Sequence, residues 1–361
     1  MKSVPKCKWL HFDTDFFEKG ELQMTIYDIS KQAGVSIATV SRVLNGSSNV
    51  RPKTRKKVLD IIEKCGYTPN AFARGLGLNS MKSIGILCAD CSDIYLAKAV
   101  YYIEKNLRAG GYHPILCCTG YDLDGKKESL SLLLNQHVDS LILVGSHFIE
   151  PDMEDNQYIC DAAGQVPVML LNGIIDYPNI YCTVCNDFQA MKDLTLLLLD
   201  QGITDILYLY NSYSYSSIKK LNGFRSAYED KGLTLSEEYL HYYSGMREDV
   251  EEISDFVSQI EKSGLSFHAI IGAEDILAVG AVKYAKANGF SVPGDFAVMG
   301  YNNSLITTCS EPEITSVDNG LEPLCTQLVA TCIGVLNGED LPSKTVLPGK
   351  IIHRASTNTL K

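Results

Sequence analysis

The chain has 361 residues, a formal net charge of −11, 45% hydrophobic residues and 12 cysteines. That length exceeds what one hydrophobic core usually organises. No run of 18 or more apolar residues occurs, so no membrane span is expected. The charge is unevenly placed: residues 24–82 carry ten Lys/Arg against three acids, a balance of +7, residues 1–23 balance to zero, and the rest is left with −18. An acidic body with a small basic head points to an anionic partner at the head only.

In residues 1–23 the apolar pieces Trp9-Leu10-His11-Phe12 and Phe16-Phe17 are interrupted by Asp13, Asp15 and Glu18. With no continuous apolar stretch this is not a signal peptide, and a flexible or loosely packed extension is expected. Residues 24–46, MTIYDISKQAGVSIATVSRVLNG, read as two short helices with a sharp turn. Ile26, Ile29 and Ala33 share one helical face. Gly34 breaks that helix, since glycine enters a left-handed turn without steric penalty. Ser36 is a candidate N-cap for the next helix. Val40, Val43 and Leu44 form its buried face, leaving Ile37, Ala38, Ser41 and Arg42 outward. This is the layout of a helix-turn-helix, whose second helix enters the DNA major groove. A third helix is expected over 52–65, with Pro52 in its first turn.

From Thr25 to Lys82 the chain resembles the headpiece of the lactose/galactose repressor family, in order of parts and in spacing. The resemblance extends through Pro69-Asn-Ala-Phe-Ala-Arg74-Gly-Leu76, which is similar to the family's hinge segment. It implies a helix-turn-helix domain over 24–69 and a hinge over 70–82. It also implies roles. Ile37, Ala38 and Arg42 would face base edges, Arg42 with a guanidinium able to bond guanine O6 and N7 together. Thr25, Ser36, Thr39, Ser41 and Asn45 would hold phosphates. Arg74 and Leu76 would contact DNA from the hinge, Leu76 as an apolar wedge in the minor groove. Gly75 and Gly77 weaken the hinge helix, which is expected to order only on DNA.

From about Ser83 short apolar runs alternate with helical stretches: strands over 84–88, 114–118, 140–144, 167–171, 206–210, 268–272 and 296–300, and a helix over 96–109. The alternation predicts an α/β body of parallel sheets covered by helices. The body resembles the family's effector domain, similar in fold to periplasmic sugar-binding proteins. The matching pieces are Lys82–Leu87, Asn186–Ala190, Leu221–Phe224, Glu274–Gly280, Val292–Asp295 and Val298–Asn302. The resemblance implies two lobes crossed three times, placed near 183, 311 and 343, so that one lobe takes 83–182 and 312–342 and the other 183–311 and 343–361. A ligand is expected between the lobes at the carboxyl ends of strands. By the same matching Asp275 and Asn172 bind a small polar effector, and Tyr95 or Leu96 walls a ring. Lys220 stands where the family usually has arginine. A lysine gives a point charge instead of a planar fork, which suits a phosphate or another geometry.

Two C-x-x-C pairs, Cys88/Cys91 and Cys182/Cys185, leave metal or redox chemistry open beside their reading as small core residues. No G-x-S-x-G, H-E-x-x-H or P-loop pattern occurs. The expectation is a cytoplasmic transcriptional regulator, a repressor and not an enzyme. It is expected to need no cofactor, to bind palindromic double-stranded DNA as a homodimer, and to respond to a sugar or sugar derivative. A pure sugar-binding module, a sugar-modifying enzyme and a redox sensor that binds DNA are the alternatives.

Overall fold

The structure, a computed structural model, describes residues 24–44, 49–66, 80–246 and 249–357. It divides into two compact units, one ending at Met81 and one beginning at Lys82.

The first unit contains three helices: α1 (Ile26–Ala33), α2 (Ile37–Leu44) and α3 (Pro52–Lys64). Thr25 caps α1 in a reciprocal box: its hydroxyl accepts from the Asp28 amide, and the Asp28 carboxylate accepts from the Thr25 amide at 2.9 Å. Gly34 ends α1 at φ 63°, and the Ser36 hydroxyl accepts from the Thr39 amide at 3.2 Å to start α2. Ile29, Ala33, Val40, Val43, Val50 and Val58 form the buried core. So small a core holds only because both ends of the turn between α1 and α2 are satisfied locally.

The second unit is α/β, with two six-stranded sheets. Its elements run β1 (Ser83–Cys88), α4 (Ile94–Ala109), β2 (His113–Cys118), α5 (Leu123–Asn135), β3 (Ser140–Val144), α6 (Gln157–Ala163), β4 (Val168–Leu171) and β5 (Ile180–Cys185). Then follow α7 (Asp187–Leu199), β6 (Ile206–Tyr210), α8 (Tyr215–Asp230), β7 (Leu240–Tyr242), α9 (Val250–Lys262), β8 (Ala269–Gly272), α10 (Asp275–Asn288), β9 (Ala297–Tyr301) and α11 (Ile306–Cys309). The chain closes with β10 (Thr315–Asp318), α12 (Leu321–Leu336), β11 (Lys344–Leu347) and β12 (Lys350–Ile352). The first sheet has the order β11-β5-β4-β3-β1-β2 and the second β12-β10-β9-β8-β6-β7. Every pairing is parallel except β10 with β12. β3, β4, β8 and β9 are buried along their whole length, as strands covered on both faces must be, which is why they read as unbroken apolar runs.

The lobe boundaries differ from the expected ones. The chain leaves the first sheet after Cys185, returns to it after Asp318 through α12, and crosses finally between Leu347 and Lys350. β10 therefore belongs to the second lobe and β11 to the first, the reverse of the assignment made from breaks near 311 and 343. Pro312 reads as a boundary, yet the chain stays in the second lobe, where Ile314 is fully buried in the core.

Within the second lobe α7 and α8 approach closely at Gly223, where an added Cβ would overlap the carbonyl oxygen of Phe188. Backbone cannot yield there as a flexible side chain would. Gly223→Ala is expected to lower stability by about 3 kcal/mol in urea unfolding. A loss under about 0.5 kcal/mol would show that the two helices can separate without strain.

Candidate nucleic-acid interface and interlobe cleft

The outward face of α2 carries the expected side chains. Ile37 is 38% exposed, although a β-branched apolar residue has no solvation reason to be there, and Ala38 and Arg42 are also exposed. Ser41 is half-buried on the same helix. Three of the hydroxyls expected at phosphates also have local roles. Thr25 donates to Asp28 at 2.7 Å, and the Ser36 and Thr39 hydroxyls lie 2.9 Å apart at the head of α2. The free amides of that helix start add positive potential beside them. Lys31, Arg51, Lys53, Lys56 and Lys57 are exposed on the same unit. The structural roles of Thr25 and Asp28 escaped the sequence reading, although Thr25-x-x-Asp28 was the signal for them. Asn45, Arg74, Leu76, residues 70–79 of the hinge and the extension over residues 1–23 lie outside the described residues.

In the second unit a cavity of about 400 Å³ opens between the lobes. It is built from the loops that follow the carboxyl ends of strands in both sheets. β1 leads to Asp93, Tyr95 and Leu96, and β4 leads to Asn172. β8 leads to Asp275, and β10 to Asn319. All five expected effector residues, Tyr95, Leu96, Asn172, Lys220 and Asp275, line it.

Their roles inside the cavity are unequal. The Tyr95 hydroxyl accepts from the Asn172 side-chain amide at 2.6 Å and from that of Asn319 at 2.8 Å, joining the first lobe to the start of a crossing segment. Burial holds the Tyr95 hydroxyl protonated well above its ordinary range. Asn172 sits at φ 60°, a left-handed conformation that asparagine tolerates better than most residues. The carbonyl oxygens of Asn172 and Asn319 are both buried and have no hydrogen-bond partner among the described residues. Asn319 was not anticipated, since nothing local in the sequence marks it.

Asp275 is 3% exposed and its oxygens are already engaged. Oδ2 accepts from the Ser304 amide and hydroxyl, both at 2.7 Å, and Oδ1 accepts from the Ser316 hydroxyl at 2.6 Å. Gly300 is required beside it, because a Cβ there would overlap Oδ1. Lys220 is 5% exposed; its ammonium donates to the Ala273 carbonyl at 2.9 Å and lies 4.2 Å over the Tyr301 ring. The Tyr301 hydroxyl in turn donates to Asp187 at 2.7 Å. Lys220 is thus a largely buried member of a network within the cavity wall. Tyr301 and Asp187 fall in segments picked out by resemblance, but their pairing needed the fold.

Two family models match the chain: bacterial regulatory proteins, lacI family, over residues 25–70, and a periplasmic binding protein-like domain over residues 196–357. A transcriptional regulator of the helix-turn-helix type from Lachnoclostridium phytofermentans is 50% identical, the match covering 93% of this chain and 100% of the relative. Catabolite control protein A of Priestia megaterium is 31% identical over 93% of this chain and 100% of its own length. Among solved structures, a lac repressor dimer bound to operator and the anti-inducer ONPF matches with a TM-score of 0.81 at 23% identity, covering 92% of this chain and 99% of that one. A complex of the regulator CelR with cellobiose matches at 0.67 and 23% identity, covering 92% and 99%. Fold and site together define a DNA-binding transcriptional regulator with a helix-turn-helix head and a periplasmic-binding-protein-like body. The chain belongs to the lacI family of bacterial regulatory proteins. No helix among the described residues is long and apolar enough to cross a membrane.

Burial pushes the Asp275 carboxyl up to about 6, against the pull of its three hydrogen bonds and of Lys220. The folded protein therefore keeps a proton that the unfolded chain releases near pH 4. This group's contribution to stability is fully present below about pH 4 and is lost as pH rises to about 6. The stability difference between wild type and Asp275→Asn is expected to fall by about 1–3 kcal/mol across that window in urea unfolding. A difference that stays flat would place the carboxyl in its usual range.

Proposed function

We propose that this regulator is a cytoplasmic repressor that grips a palindromic operator as a homodimer, and that a neutral sugar or sugar derivative in the interlobe cleft changes that grip. The observation that carries the effector half is the interlobe cavity itself, where Tyr95, Leu96, Asn172, Asp275 and Asn319 from both lobes converge at the ends of strands. Asp90, Asp93, Glu274 and Asp275 line the same space against Lys220, whose ammonium is turned to Ala273 and Tyr301. That balance disfavours a phosphate ester. Tyr95, Leu96, Ile276 and Ile306 supply apolar wall for the C–H face of a ring. The neighbouring CelR structure, a complex with cellobiose, supports the same ligand class.

Three strand-to-strand crossings link the lobes, so closure around a ligand would be a rigid-body change with few hinge positions. Such a ligand acts by binding one lobe arrangement better than the other. In the head, Arg42 is the base reader, Ile37 and Ala38 give apolar contact, and Thr25, Ser36, Thr39, Ser41 and Asn45 fix register on phosphates, with Arg74 and Leu76 acting from the hinge. One reading helix covers a half-site, which favours a two-fold dimer on a palindrome.

A thermal-shift screen of the full chain against sugars, sugar phosphates and nucleobases tests the effector. A neutral mono- or disaccharide is expected to raise the midpoint, with about 2.7 kcal/mol of added stability at a hundredfold excess over Kd. Asn172→Ala is expected to remove the response. Stabilisation by sugar phosphates alone would overturn the neutral-ligand reading. For the head, Arg42→Ala is expected to weaken operator binding by about 1–3 kcal/mol and to relax preference at one base pair of each half-site. Equal weakening across all sequences in a binding selection would make Arg42 a phosphate contact.

A further inference from the structure

The loop that leads from β1 to the cleft carries a cysteine that the regulatory reading leaves unused. Cys91 is exposed, and its sulfur lies 2.8 Å from that of Cys118, which ends β2 and is also exposed. The C-x-x-C spacing suggested Cys88 as the partner of Cys91. Cys88 does lie within hydrogen-bond reach of Cys91, but it is fully buried, with its thiol donating to the Asp90 carbonyl at 3.5 Å. The parallel register sets Cys118 beside Cys88 on the neighbouring strand, and the loop then folds Cys91 back over it. The Thr119 and Gly120 amides donate to the Cys88 and Ala89 carbonyls at 2.9 and 3.0 Å, which holds the two strand ends together around the pair.

A sulfur separation of 2.8 Å is well inside the roughly 3.7 Å between two thiolates on a tetrahedral zinc, given Zn–S bonds near 2.3 Å. No group of three or more ligating side chains able to hold a metal occurs among the described residues. The second C-x-x-C pair differs: Cys182 and Cys185 are both buried.

We propose that Cys91 and Cys118 are an oxidant-responsive thiol pair at the rim of the cleft, which a peroxide converts reversibly into an intrachain disulfide. One thiol reacts with the peroxide to give a sulfenic acid and one water. The second sulfur displaces the hydroxyl as another water, and the S–S bond forms. Two electrons and two protons pass from the thiols to one hydrogen peroxide, and a dithiol reductant returns them. The hydrogen bond with Cys91 and burial together push the Cys118 thiol up to about 11. Burial raises the Cys91 thiol as well, so either sulfur can attack and the other then resolves. Disulfides in reducing compartments are characteristically transient and sensory.

The bond would act on the cleft directly. The loop from Cys91 contains Ser92, bonded through its amide and hydroxyl to Asp90, and Asp93, which caps α4 by accepting from the Leu96 amide at 2.9 Å. Asp90, Ser92, Asp93, Tyr95 and Leu96 all line the cavity. Tying Cys91 to β2 fixes the segment that presents them.

The test is peptide mapping of the full chain after hydrogen peroxide treatment and alkylation, digested without reduction. A Cys91–Cys118 linked peptide, two hydrogens lighter than the free pair, is expected. It should vanish on dithiothreitol and be absent from Cys91→Ser and Cys118→Ser. Exposed Cys309 serves as the unpaired reference thiol. Amide exchange over residues 89–96 is expected to slow on oxidation in wild type and to stay unchanged in Cys91→Ser. Oxidation of Cys91 no faster than Cys309 and without the link, or a link between two chains through Cys118, would overturn the proposal. So would a link that forms without slowing exchange in that segment.

Discussion

The carboxylate of Asp275 holds the second lobe's wall of the cleft in place. It sits at the start of α10, and it accepts from Ser304 after β9 and from Ser316 on β10. The start of α10, the loop after β9 and strand β10 are thereby tied to one buried point. The arrangement is demanding, because a carboxylate removed from water is tolerated only with its lone pairs occupied. Gly300 has to be a glycine for the same reason, since any side chain there would meet the carboxylate oxygen. Asp275 lines the cavity, yet its oxygens serve first to hold the wall together.

Parallel pairing extends that constraint to the whole body. Parallel strands deliver all their carboxyl ends to one edge of each sheet. With two such sheets in one unit, polar loops converge on the cavity, while the apolar strands that support them are buried on both faces. The Tyr95 hydroxyl is the clearest product: it receives amides from Asn172 and Asn319, residues far apart in sequence. The head works by the opposite logic. Its core is small, and its geometry comes from local capping at Thr25, Gly34 and Ser36.

That contrast explains what could be read in advance. The head was legible almost residue by residue, because glycine stops, hydroxyl caps and a proline at a helix start act over a few residues. Long apolar strands such as Ser140–Val144 and Ile206–Tyr210 were equally plain. The strands Leu240–Tyr242, Thr315–Asp318, Lys344–Leu347 and Lys350–Ile352 were not, since three or four residues carry too little pattern to set a period. Two of the three lobe crossings lie among those short strands, and their positions shifted accordingly. In the cleft, family likeness located Asp275, Asn172, Tyr95, Leu96 and Lys220 at the cavity. It did not show that Asp275 and Lys220 are bonded inward, or that Asn319 completes the set, because those facts depend on distant segments meeting. The C-x-x-C spacing put Cys88 near Cys91 but could not reveal Cys118 for the same reason: Cys118 is adjacent only through strand register.

The threefold passage of the chain between the sheets has a bearing on how such a body can be inherited. Neither lobe is one uninterrupted stretch of polypeptide: the first takes β11 and α12 from late in the chain, and the second closes on β12 after that return. No single cut separates them into autonomous pieces, and neither can be traded between genes as a cassette. Recombination can exchange the head, which is contiguous, but the body must be passed on whole.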